Sequence, residues 1–205
     1  MKAKNKIVQL TELAILTAIV IVLQLTGVAI RLPFLATPIS LVLIPITLGA
    51  MILGPKAGAW LGFVFGAVVF ITCAIMSLDP FTAYLFQNSP IMTACICLFK
   101  STFAGLFSGL AFKYINIKGK NSLFASFVAS AITPIVNTGL FILGCLCISG
   151  TINGFISSAD LGVSAPYFLI IGCAGINFLF EFAVNMILAP SLNGLYMTIT
   201  KRLSK

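Results

Sequence analysis

Six apolar runs separated by short basic gaps dominate this chain, at roughly residues 8–27, 39–53, 57–76, 91–115, 122–149 and 165–189. A membrane span needs about 20 mostly apolar residues, and the chain supplies that length repeatedly. Only 8% of its 205 residues are charged and 60% are hydrophobic, whereas a soluble domain carries about 25% charge. A water-soluble core of this length could not hide so much apolar surface. The sequence therefore predicts an all-α integral membrane protein, a six-helix bundle forming a single transmembrane domain over residues 1–205. The second run is short and contains Pro45, so it is expected to be tilted, broken or packed inside the bundle. After Pro190 the chain stays amphipathic from Leu192 to Leu203, which fits an interfacial helix.

The basic residues orient the bundle. An even number of spans puts both termini on one side. That side carries Lys2, Lys4, Lys6, Lys56, Lys113, Lys118, Lys120, Lys201, Arg202 and Lys205, against Arg31 on the other, with Lys100 inside a span. Cytoplasmic connections concentrate Lys and Arg, so both termini are expected in the cytoplasm and the chain in a bacterial plasma membrane as a multi-pass protein. The net charge of +8 forms no stripe on a soluble fold and is no nucleic-acid footprint. The first run has a basic start but no clear cleavage site, and reads as a retained helix rather than a signal peptide.

The chain contains no histidine. That excludes Ser-His and Cys-His nucleophilic sites and the H-E-x-x-H zinc motif, and argues against an enzyme. The six cysteines all lie in apolar runs. Their two C-x-C pairs would point about 200° apart on a helix, which suits small apolar packing residues better than metal ligands. No catalytic, metal or cofactor site is expected.

Small residues mark close helix approaches. Gly54, Gly58, Gly62 and Gly66 repeat every four residues along span three, and Gly105 and Gly109 do so in span four; both patterns read as internal seams. Ala14 and Ala18 make a similar pair near the cytoplasmic end of span one.

Polar residues inside spans are expensive and mark functional sites by default. Here they are Gln24, Lys100, Asn137, Asn177, Glu181 and Asn185. At 1.5 Å per residue, Lys100 lies roughly 15 Å from the outer surface, and Asn137 and Asn177 roughly 18 Å. Asn177, Glu181 and Asn185 share one helical face, and Pro134 disturbs span five one turn before Asn137. These residues predict an outward-facing pocket among spans four to six. Lys100 would meet an anionic group, and the two asparagines would bond amides or hydroxyls. The outer connections, residues 28–38, 77–90 and 150–164, are longer than the inner turns and would close over the pocket or merely connect spans. Phe81, Tyr84, Phe86 and Asn88 stand in the second of them. A second reading has Lys100 and Glu181 as a buried ion pair that fixes the bundle. No phosphate-binding loop, dense carboxylate relay or internal repeat is present, so a pocket without an engine implies partners.

In these features the chain resembles the S components of energy-coupling factor (ECF) vitamin transporters. The resemblance rests on size, six spans, Ala14-x-x-x-Ala18 in span one, and the segment Leu43-Ile44-Pro45-Ile46 to Leu53-Gly54-Pro55-Lys56-Ala57-Gly58-Ala59. It implies a subunit that captures a vitamin on the outer side, docks through Ala14 and Ala18 on a transmembrane coupling subunit, and relies on two ATPase subunits for uptake. The stretch Asp79-Pro80-Phe81 to Asn88-Ser89-Pro90, followed by a basic residue, resembles pantothenate-type members. Lys100 with Asn137 and Asn177 suits an anion bearing amide and hydroxyl groups. Riboflavin would want a broader aromatic slot, and a cationic ligand more carboxylates and an aromatic cage. The competing reading is a self-sufficient secondary carrier of a small anion.

Overall fold

The computed structural model describes residues 2–29, 41–116 and 121–203, and they contain helices and no strand. In chain order the helices are α1 (Lys2–Ala29), α2 (Leu43–Ile52), α3 (Pro55–Val69), α4 (Pro80–Asn88), α5 (Pro90–Ile115), α6 (Ser122–Cys147), α7 (Ser149–Ser158), α8 (Ala165–Tyr167) and α9 (Ile176–Leu203). Two wider π-helical stretches, Phe70–Ile75 and Phe168–Gly175, extend α3 and join α8 to α9. The first outer connection, with Arg31 and Pro33, and the basic turn at Lys118 and Lys120 lie outside the described residues.

Among the described residues, five helical segments are long and apolar enough to cross a membrane: Lys6–Gly27, Pro55–Ile75, Pro90–Ile115, Ser122–Cys147 and Ala165–Thr200. The expected second span is instead the ten-residue α2, about 15 Å long and half the hydrocarbon thickness. It is sheltered rather than lipid-facing: Leu43, Ile46, Thr47 and Ala50 are all buried. The hydroxyls of Thr47 on α2 and Thr133 on α6 meet at 2.8 Å. At the other end of the chain, α9 runs unbroken through Pro190 to Leu203. The tail expected beyond Pro190 is thus a continuation of the last span.

The outer connections differ most from expectation. Residues 80–88 and 149–158 are short helices, not open loops. The local chemistry of α4 explains why. Asp79 caps it by accepting from the Thr82 amide at 2.8 Å and from the Thr82 hydroxyl, and Pro80 occupies the first turn, where its missing N–H is harmless.

Helix α5 lies at the centre, packed on α3 and α6, while α9 packs on α6. The α3–α5 contact uses small residues in register. A side chain at Gly58 would collide with the Gly105 carbonyl, one at Gly62 with the Ser101 carbonyl, and one at Gly66 with the Cys97 carbonyl. The backbones therefore touch directly, as the expected seams require. Gly54 does a different job: it has open space around it and a φ of 93°, a left-handed turn conformation that glycine adopts without penalty.

The opposite side of α5 carries Phe99, Phe103 and Phe107, all exposed, one turn apart and turned outward as in a lipid-facing helix. Cys73, Cys97, Cys145 and Cys173 are buried in apolar clusters, as packing residues would be. Among the described residues no group of three or more His, Cys, Asp or Glu is placed to hold a metal.

Candidate functional site

A polar cavity of about 80 Å³ lies inside the bundle, lined by Gln24, Asp79, Thr82, Lys100, Asn137 and Glu181 together with Asn177, Thr138, Phe141 and apolar neighbours. Each wall has a local cause. On α5, the seam with α3 fixes the backbone at Ser101, the residue next to Lys100, so the lysine stem starts from a rigid position. On α6, Pro134 cannot donate to the carbonyl four residues back, which loosens the ladder one turn before Asn137. Cys73 comes from one π-helical stretch, and Cys173 and Ala174 come from the other. Wider turns of this kind concentrate at functional sites, and here both border the same cavity.

The Lys100 ammonium stands 4.8 Å from the centre of the Phe141 ring, a cation–π distance. Asn137 is buried, and among the described residues its side-chain oxygen has no hydrogen-bond partner. A buried amide oxygen left unmatched costs about 1–3 kcal/mol, so the site holds a standing preference for a donor delivered into the cavity. Asp79 and Glu181 are both buried, at 2% and 4% exposure. Asp79 directs one oxygen to the start of α4, so part of its charge serves that helix.

Four residues singled out in the sequence, Lys100, Asn137, Asn177 and Glu181, share this cavity. Phe81, Tyr84 and Asn88 are placed elsewhere. Phe81 is buried among Phe155, Phe168 and Phe141, with centroids 5.1, 5.4 and 6.5 Å away. Tyr84 packs edge-on against Phe155 at 5.3 Å. Asn88 is exposed and donates to the Tyr84 carbonyl at 2.9 Å. Together Phe81 and Tyr84 form an aromatic cap joining α4 to α7, with Phe141 linking that cap to Lys100. Asn185, on the same face of α9 as Glu181, is buried beyond the cavity and donates to the Glu181 carbonyl at 2.8 Å.

Gln24, Asp79, Thr82 and Phe141 line the cavity without having been singled out for it. Gln24 stood among the intramembrane polar residues, but its helix lies far from α6 and α9 in sequence. Asp79 and Thr82 carried a legible signal, the Asp-Pro-x-Thr pattern of a capped helix start. Phe141 carried none, being one aromatic in an apolar run.

Ala14 and Ala18 lie on the outward face of α1, beside exposed Ile15, Ile19 and Val22. Leu16 and Val20, on the opposite face, are buried in the core.

Residues 8–192 match the family model described as ECF transporter, substrate-specific component. The chain is also 39% identical over 86 residues to a protein named Pantothenic acid transporter PanT from Lactococcus lactis subsp. cremoris. That match covers 41% of this chain and 42% of the relative, so the aligned region spans less than half of the relative's length.

Proposed function

The chain belongs to the family of ECF transporter substrate-specific components, and from that premise we propose that it captures pantothenate on the extracellular side for ATP-driven uptake by partner subunits. The family is a transporter component rather than an enzyme, and membership implies association with other ECF subunits. The finer reading assigns six spans with both termini in the cytoplasm, a single transmembrane domain in the bacterial plasma membrane, and a transmembrane coupling subunit with two ATPases as partners. The ten-to-one distribution of basic residues supports that orientation. The short α2 would count as the second of the six crossings.

One observation carries the substrate assignment: a half-buried cation, Lys100, shares a cavity with the unmatched amide oxygen of the buried Asn137. Pantothenate offers a carboxylate at one end and amide and hydroxyl donors along its length. The carboxylate would sit against Lys100, and a donor would satisfy Asn137, with Asn177 and Glu181 bonding the remaining polar groups. Phe81, Tyr84 and Asn88 would act from above, as the lid that closes the pocket. The partial identity to a pantothenic acid transporter points the same way.

At about 80 Å³ the cavity is far below the roughly 300–1,000 Å³ of small-molecule sites. Ligand entry therefore requires it to widen. The two π-helical stretches and the short capped α4 are the elements placed to yield, since they border the cavity and the π-helical stretches interrupt the regular α-helical hydrogen bonding of their spans. Docking on the coupling subunit would use Ala14 and Ala18, whose small side chains let a partner helix approach closely.

Reconstituted liposomes test this reading. The chain alone should bind pantothenate without accumulating it, and uptake should appear only when the coupling subunit and ATPases are present with ATP. Concentrative uptake by the chain alone would instead identify a self-sufficient carrier.

A further inference from the structure

A second recess lies at the other end of the bundle and shares no residue with the cavity. It is a groove of about 490 Å³ between α1 and the corner joining α2 to α3, with walls that include Lys6, Leu10, Leu13, Leu53, Lys56 and Trp60. Its chemistry is layered. Lys6 and Lys56 are both exposed, and each stands near the start of its helix, α1 and α3, at the same end of the bundle. Trp60, at 49% exposure, follows Lys56 by four residues, about 6 Å further along α3. Leu10 and Leu13 lie one and two turns below Lys6. Two cations therefore stand over Trp60 and Leu10, with Leu13 about one turn deeper.

We propose that this groove holds an anionic phospholipid, its phosphate between Lys6 and Lys56 and its first acyl carbons along Leu10, Leu13 and Trp60. Basic pockets between membrane helices at the cytoplasmic surface bind anionic headgroups, and a tryptophan at headgroup depth is the usual interfacial anchor. The charge pattern separates this occupant from others. A soluble anion gains nothing from the leucine walls, and an apolar partner helix gains nothing from two lysines. The start of α3 adds to the attraction, because its cap, Gly54, provides no side-chain acceptor, so the positive end of that helix lies at the groove lined by Lys56 and Ala57. Ala14 and Ala18 are not part of the groove, so lipid occupancy leaves the proposed docking face free.

Native mass spectrometry of the purified full-length chain in mixed micelles tests this. With equal phosphatidylglycerol and phosphatidylcholine, the chain should retain phosphatidylglycerol about thirtyfold more, the scale set by two lysines near a headgroup. K6Q/K56Q should fall to near parity with an unchanged melting temperature in detergent, whereas K6R/K56R should keep the preference. Excess inorganic phosphate should not displace the lipid. Equal retention of the two lipids by the unaltered chain would overturn the proposal, as would a preference that survives K6Q/K56Q or displacement by phosphate alone. If K6Q/K56Q does not fold, the single variants K6Q and K56Q should each lose part of the preference, and a full preference in both would overturn the proposal equally.

Discussion

The Lys100 ammonium faces the Phe141 ring at 4.8 Å, and Phe141 in turn meets Phe81 edge-on at 6.5 Å. A charge deep in the bundle is thus connected, ring by ring, to the aromatic cap formed by α4 and α7. The ring gives the cation a partner in the cavity wall. A ligand carboxylate would replace a weak partner with a strong one.

Phe141→Ala removes that seat without removing the charge. The expected effect on ligand affinity is a loss of about 0.5–2 kcal/mol, the range of a partly to fully desolvated cation–π contact. Phe141→Leu keeps bulk but not the quadrupole and should lose nearly as much. Isothermal titration of both variants checks this, and full affinity in both would show that the ring does not position Lys100.

Asp79→Ala deletes the cap of α4. A lost N-cap costs about 0.5–2 kcal/mol, and α4 carries Phe81 and Tyr84. Hydrogen exchange should accelerate across 80–88 while α5 and α6 keep their protection. Unchanged exchange over 80–88 would mean that packing of Phe81, rather than the cap, holds this helix.

The α3–α5 seam should be intolerant of size. Gly62→Ala places a methyl group against the Ser101 backbone carbonyl, and overpacking of this kind costs about 1–3 kcal/mol. Gly54→Ala should also destabilise, through strain at its φ of 93° rather than through contact. Gly194→Ala, with open space around it, should be neutral or better. Thermal melting in detergent ranks the three, and a Gly62→Ala variant as stable as the parent would contradict direct backbone contact.

Docking separates from binding. Ala14→Leu or Ala18→Leu should abolish uptake by the assembled transporter while leaving ligand affinity of the isolated chain unchanged, because both residues are exposed on α1 and neither lines the cavity. Normal uptake in both variants would remove this face from the docking role.

The all-helical membrane character was legible because it rests on run length and charge, which are local. The meeting of Lys100, Asn137, Asn177 and Glu181 in one cavity was legible because depth along a span follows from counting residues. Other features depended on contacts that counting does not reach. Leu43–Ile52, short and carrying Pro45, reads as tilted, broken or packed inside the bundle, and its packing on α3, α5, α9 and α6 selects the last of these. Residues 80–88 and 149–158 were read as connections because polar and aromatic residues near an interface hide a short helix. Only the cap at Asp79 distinguishes α4 from a loop, and the clustering of Phe81 with Phe141, Phe155 and Phe168 is a long-range contact with no local signal. Gln24 meets Lys100 in the cavity across 76 residues of sequence and Asn137 across 113, distances no periodicity encodes.

The most direct test of the account is equilibrium binding of radiolabelled pantothenate to the purified chain alone, compared with its Lys100→Ala variant. Saturable one-to-one binding is expected, weakened by about 1–3 kcal/mol in the variant, the scale of a hydrogen bond to a charged group. No saturable binding by the parent chain, or equal affinity in the two, would contradict a pantothenate site built around Lys100.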